Sequence, residues 1–127
     1  MALRFQKHYT REEARDLLPQ IRGWLEQIDQ LRGKMDKYDQ RLVGMAAEGQ
    51  DLGGETVNQS IKTTAEIRAL LLEFQKREIM IKDLERGLLD FPALIGGREV
   101  FLCWEKDEED IEFWHDIDSG FAGREPL

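Results

Sequence analysis

Histidine, cysteine and carboxylate side chains gather in the second half of this chain. His115, Cys103, Asp83, Glu85 and Asp90 lie there, with Glu78 just ahead of them. Imidazole nitrogen and carboxylate oxygen together suit Fe²⁺, Mn²⁺ or Zn²⁺. His115 with Glu78, Glu85, Asp83 and Asp90 is therefore a set with metal-ligand chemistry, although no compact motif such as H-E-x-x-H accompanies it. The same groups also make an acid/base pair, or the commoner arrangement of a buried histidine hydrogen-bonded to a glutamate, with the Trp24 N–H satisfying Glu78. Cys103 carries a thiol that acts as a nucleophile only when an activator lowers its pKa. The sequence sets neither a helix N-terminus nor a basic side chain beside it, which reads as a half-buried strand cysteine. Arg124 belongs to a glycine-hinged tail, DSGFAGR, and offers its guanidinium to an anion or substrate. Those glycines lack the Lys-Ser/Thr of a phosphate loop, and a docked terminus is the plainer expectation.

Between residues 105 and 118 stand Glu105, Asp107, Glu108, Glu109, Asp110, Glu112, Asp116 and Asp118 against the single base Lys106. This stretch carries −7 of a net charge of −8. It lacks the alternating Asp/Asn and the terminal bidentate Glu of an EF-hand loop, so it reads as a solvated acidic loop rather than a Ca²⁺ site.

The elements that must position these groups start at Thr10. Thr10 and Glu13 form a capping box, in which each side chain accepts the other residue's backbone N–H. From there Ala14, Leu17, Ile21, Trp24, Ile28, Leu31, Met35, Tyr38, Leu42 and Met45 alternate spacings of three and four, which is coiled-coil periodicity. A helix is expected over about 11–47, with Pro19 kinking it on the side away from the seam. Gly49, Gly53 and Gly54 mark a turn, and a second helix is expected over about 57–86. Its seam reads Val57, Ser60, Thr64, Ile67, Leu71, Phe74, Glu78, Ile81 and Glu85. A hairpin turning near residue 51 would pair Tyr38 with Thr64, Leu42 with Ser60 and Trp24 with Glu78. Gly87 is then the left-handed residue that ends the helix.

Beyond Pro92 the period becomes two. Residues 93–105 read as a hairpin about Gly96 and Gly97, and 111–117 as a further strand. Pairing Trp104 with Ile111 puts Val100, Leu102, Trp104, Ile111, Phe113 and His115 on one face and Phe101, Cys103, Glu112 and Trp114 on the other. Residues 3–8 alternate weakly, as a strand does. The expected fold is α+β: a long antiparallel two-helix hairpin, coiled-coil-like, with a small antiparallel sheet of three to four strands at one end, all in one domain spanning 1–127. Leu70, Leu71 and Leu72 with Ile79, Met80 and Ile81 exceed what one seam buries, which points to a second copy and a homodimer.

Composition narrows the functional classes. In 127 residues, 35% charged and 41% apolar, the chain is too apolar for disorder, and no run is long enough to cross a bilayer. The net charge of −8 disfavours nucleic acid and anionic membranes as partners. Residues 1–10 lack the apolar stretch of a signal peptide, and one cysteine forms no internal disulfide, so a cytoplasmic protein is expected.

Three motifs together resemble one family. They are Thr10-x-x-Glu13-Ala14 with Leu17-Leu18-Pro19; Lys82-Asp83-Leu84-Glu85-x-Gly87-Leu88-x-Asp90-Phe91-Pro92; and Cys103-Trp104 with Trp114-His115-Asp116 through Gly120-Phe121-Ala122-Gly123-Arg124. Over nearly the whole chain they are similar to the uncharacterised bacterial family known as domain of unknown function 2203. That resemblance implies that Asp83, Glu85, Asp90, Cys103, Trp104, Trp114, His115 and Arg124 are motif positions, and it carries no activity with it. Two readings follow from the residues, the first preferred and the second its alternative. One is a homodimeric assembly or protein-interaction module, for which Glu78 is dispensable and leucine there would be neutral or stabilising. The other is a divalent-metal protein or metal-assisted hydrolase built on His115 and its carboxylates.

Overall fold

A computed structural model describes residues 2–49 and 54–127; Gly53 and the expected turn centre at residue 51 lie outside the described residues. Two helices precede a five-stranded antiparallel sheet, one strand more than the upper expectation: α1 Arg11–Ala47, α2 Glu55–Gln75, β1 Met80–Asp83, β2 Leu88–Ile95, β3 Arg98–Trp104, β4 Phe113–Asp116 and β5 Glu125–Pro126. The strands lie in chain order β1-β2-β3-β4-β5. Two compact units divide the chain, the first Met1–Leu25 with Glu73–Leu127, the second Glu26–Leu72.

In the first unit the capping box forms as its residue types dictate, with Thr10 N–H donating to Glu13 Oε1 at 3.0 Å and Glu13 N–H to Thr10 Oγ1 at 3.1 Å. Ala14, Leu18 and Ile21 of the following turns are fully buried. They belong with the sheet face made by Leu89, Phe91, Ala93, Val100, Leu102 and Trp104, which is also buried. Tyr9 meets Phe91 edge-on at 5.5 Å, and the Arg22 guanidinium stacks over Trp104 at 5.4 Å. In the second unit Leu31, Met35, Tyr38, Leu42 and Met45 are half-buried, as a single apolar seam predicts. The Ser60 and Thr64 hydroxyls meet the Met35 sulfur at 3.9 and 3.6 Å. The pairing is therefore displaced from the expected one, in which Tyr38 and Leu42 faced these two residues.

The second helix ends eleven residues before its expected limit, and the reason is local. Ile79 N–H donates to Phe74 O and Glu78 N–H to Gln75 O, the two bonds of a Schellman cap. Its left-handed residue is Glu78 at φ 58°, not Gly87. The apolar Ile79, Met80 and Ile81, read as excess helix width, lead into and build β1. Gly87, at φ 62°, instead closes the β1–β2 turn, where a Cβ would stand 2.8 Å from Lys106 Cβ. Gly96 and Gly97, at φ 59° and 77°, make the β2–β3 hairpin turn as expected.

Residues 3–8 form no strand. Carboxylates strap this segment down instead: Glu99 accepts the N–H groups of Arg4 and Phe5 and bonds His8 Nε2, while Glu78 accepts those of Gln6 and Lys7. The face opposite α1 is thereby covered as well, with Phe5 edge-on to Phe101 at 5.5 Å. A sheet covered on both sides can bury polar residues on its second face.

Candidate functional site

That second face carries the chemistry. Phe101 pairs with His115, and Cys103 with Phe113 on one side and Asp90 on the other. Every β3–β4 partner is one residue away from the pairing expected from Trp104 and Ile111. A one-residue slip exchanges the faces of a strand. His115 thus leaves the apolar face predicted for it and joins Phe101 and Cys103, while Trp114 joins Leu102.

Asp90, Cys103 and His115 converge there, with one ligand atom from each lying within 4.8 Å of the others. All three are buried, at 2%, 1% and 2% exposure, so water does not screen their interactions. His115 Nδ1 lies 2.7 Å from the Asp116 carbonyl oxygen, which can only accept; Nδ1 therefore carries a proton. The other nitrogen, Nε2, lies 2.9 Å from Asp90 Oδ1. A neutral imidazole presents a lone pair at Nε2, and a carboxylate presents another. Two lone pairs cannot face each other at this distance without a positive centre between them, whether a shared proton or a metal ion. Burial pushes the Asp90 carboxyl above its ordinary pKa, and the hydrogen bond and charge of His115 pull the other way. A proton is accordingly held between the two side chains.

Burial, with the charge of Asp90 beside it, also pushes the Cys103 thiol up to about 11, against a weaker pull from Arg124. The thiol is protonated at neutral pH, so it is no free thiolate nucleophile. Replacing two protons by one divalent ion would suit this geometry. Nitrogen and oxygen at 2.0–2.1 Å from a tetrahedral metal stand ~3.3 Å apart, a few tenths of an ångström beyond the present contact. The Nδ1–H···O=C bond is the orienting contact that metal-bound histidines use.

The remaining expected residues lie elsewhere. Glu78 is committed to Gln6 and Lys7, and Arg77, not Glu78, stands over the Trp24 ring at 4.9 Å, with Phe74 edge-on at 5.4 Å. Asp83 accepts Arg86 N–H in the β1–β2 turn, and Glu85 sits in that turn. Neither belongs to the cluster; the helix that would have aligned Glu85 with Glu78 ends at Gln75. Arg124 pairs with Glu108 at 3.0 Å and lies over the rings of Phe113 and Phe121 at 3.9 and 4.2 Å. Its guanidinium braces the tail. The acidic loop is tied down through Arg11 and Arg15 on Asp110 and Arg86 on Glu105.

A cavity of about 190 Å³ opens beside the cluster, bounded in part by Lys82, Ser119 and Phe121. Sequence reasoning named Lys82 only as part of a motif and gave it no role, since nothing in a four-residue strand announces which neighbour its side chain will meet.

The family profile described as "Uncharacterized conserved protein (DUF2203)" matches residues 7–127, and the chain belongs to that family. No curated protein and no solved structure matches it.

Proposed function

We propose that this member of the DUF2203 family is a divalent-metal-binding protein whose ligands are Asp90 Oδ1, Cys103 Sγ and His115 Nε2. The observation that carries the reading is the Nε2···Oδ1 contact of 2.9 Å with the Nδ1 proton already committed to a carbonyl. A metal ion would replace the shared proton as the positive centre of this contact, with the two atoms moving a few tenths of an ångström apart. One soft sulfur beside imidazole and carboxylate favours Zn²⁺ or Fe²⁺ over Mn²⁺. Three protein ligands leave one tetrahedral position open, the arrangement of metal sites that bind or activate a further molecule. Glu78, Glu85 and Asp83 are outside this set.

Elemental analysis of untagged protein purified without chelator tests the proposal, beside Cys103→Ser and His115→Ala. One Zn or Fe per chain, lost in His115→Ala and weakened but still loadable with excess metal in Cys103→Ser, is the expected result. Folded, metal-free protein that takes up neither ion would refute it.

A second reading concerns assembly. Val43, Ile61 and Leu72 are 70%, 64% and 49% exposed on the two helices, and a second copy of the chain would cover them in a homodimer. Light scattering on the wild type and on Ile61→Glu tests it, a monomeric wild type being the contrary outcome.

A further inference from the structure

The cavity beside the cluster has the walls of a ligand pocket and one cation in its lining. Leu88, Phe101, Ile117 and Phe121 give it an apolar lining, and Lys82 contributes an ammonium. That ammonium stands 5.7 Å from the Phe101 ring, and among the described residues no carboxylate lies within 4.0 Å of it. The guanidinium groups of Arg124 and Arg86 are paired, with Glu108 and Glu105 respectively. A divalent ion held by Asp90 and Cys103 as anions and His115 as a neutral ligand would itself be neutral overall. Lys82, an exposed cation, lines the same cavity as the three cluster residues and is the ammonium available to an anion there.

Building on the metal-site reading, we infer that the cavity takes a small organic carboxylate. Its carboxylate group spans the open metal position and Lys82 Nζ, and its carbon chain lies against Phe101, Ile117 and Phe121. A phosphate is disfavoured. It would bring about two charges and three strong acceptor oxygens, whereas the lining offers one ammonium and the Ser119 hydroxyl, which already donates to the Asp116 carbonyl at 3.2 Å. Volume sets the length of the chain. At roughly 30 Å³ per water-sized group, 190 Å³ holds about six non-hydrogen atoms, the size of butyrate. The far wall is firm, because Phe121 is clamped between the guanidinium groups of Arg86 and Arg124 at 4.5 and 4.2 Å.

The test uses the full chain loaded with Co²⁺, titrated separately with acetate, butyrate and octanoate and followed by the visible absorption of the metal. Butyrate is expected to bind about ten-fold tighter than acetate, from its two additional buried methylenes. At full Co²⁺ occupancy, Lys82→Gln should weaken butyrate by about ten-fold. A spectrum that none of the three acids moves, or that acetate and octanoate move equally well, overturns the inference and leaves the metal site standing. Should Co²⁺ fail to bind, the metal reading falls, and the same titrations are read from amide NMR shifts of the metal-free protein. Butyrate-dependent shifts at Lys82 and Phe121 would then retain the carboxylate pocket, and their absence would overturn it.

Discussion

Loading the metal should expel two protons, and that stoichiometry follows from two contacts. The first proton is the one that the 2.9 Å approach of His115 Nε2 to Asp90 Oδ1 demands. The second is the thiol proton of Cys103, whose pKa lies at about 11. At pH 7.5 that thiol is about 3.5 units below its midpoint, so displacing its proton costs ~5 kcal/mol at 1.36 kcal/mol per unit. Apparent affinity should rise roughly 100-fold per pH unit near neutrality, since each of two displaced protons contributes about a factor of ten. Calorimetric titration of Zn²⁺ in buffers of differing ionisation enthalpy counts the protons directly. Wild type should release about two per metal and Cys103→Ser about one. Tight binding with no proton release would refute the reasoning, and would place the metal on carboxylates that are already ionised, such as those of the acidic loop.

Further expectations concern the metal-free protein. The Cys103 pKa is raised by folding from 9.0 to about 11, so the native state keeps a proton that the unfolded state loses. Its contribution is fully present below about pH 9 and lost as pH rises through about 11, amounting to roughly 2–3 kcal/mol. Urea denaturation should show this loss in wild type and not in Cys103→Ala; parallel pH profiles would contradict it. Glu78→Leu should destabilise by about 1–2 kcal/mol, because it strips the acceptor from two backbone N–H groups. Glu78→Gly should be about 1 kcal/mol milder, since glycine relieves the left-handed backbone at φ 58°; equal losses in denaturant would argue against that strain. Gly87→Ala should cost about 2–4 kcal/mol, from its φ of 62° and the 2.8 Å approach to Lys106 Cβ. A thermal midpoint unchanged from wild type would contradict it.

The long helix was legible because one seam repeats with its cap written beside it, from Thr10 and Glu13 onward. The Gly96-Gly97 turn was legible for the same kind of reason, since both positions require positive φ. The end of α2 was not. Its left-handed cap residue is a glutamate, which carries no sequence signal for that role, while Gly87 carries a strong one in a different turn. Extending the helix to residue 86 placed Glu78 and Glu85 on a shared seam that does not exist. The strand register failed because both faces of the sheet are buried. Phe101 is 4% exposed on the face opposite Leu102, at 3%, so alternation of apolar and polar residues could not decide between pairings. His115 and Asp90 were named among the candidate ligands and do meet at 2.9 Å, but that slip put Cys103 on the opposite face from His115. The residues that turn a cluster into a pocket, Lys82 and Phe121, come together only through tertiary packing of β1 and the tail.

The central claim is a single metal held by one sulfur, one imidazole nitrogen and one carboxylate oxygen. X-ray absorption spectroscopy of the Zn²⁺-loaded protein reads that shell directly. The account predicts one sulfur at ~2.3 Å with nitrogen and oxygen neighbours at ~2.0–2.1 Å, and loss of the sulfur in Cys103→Ser. A shell of oxygen atoms alone, unchanged in that variant, would contradict it.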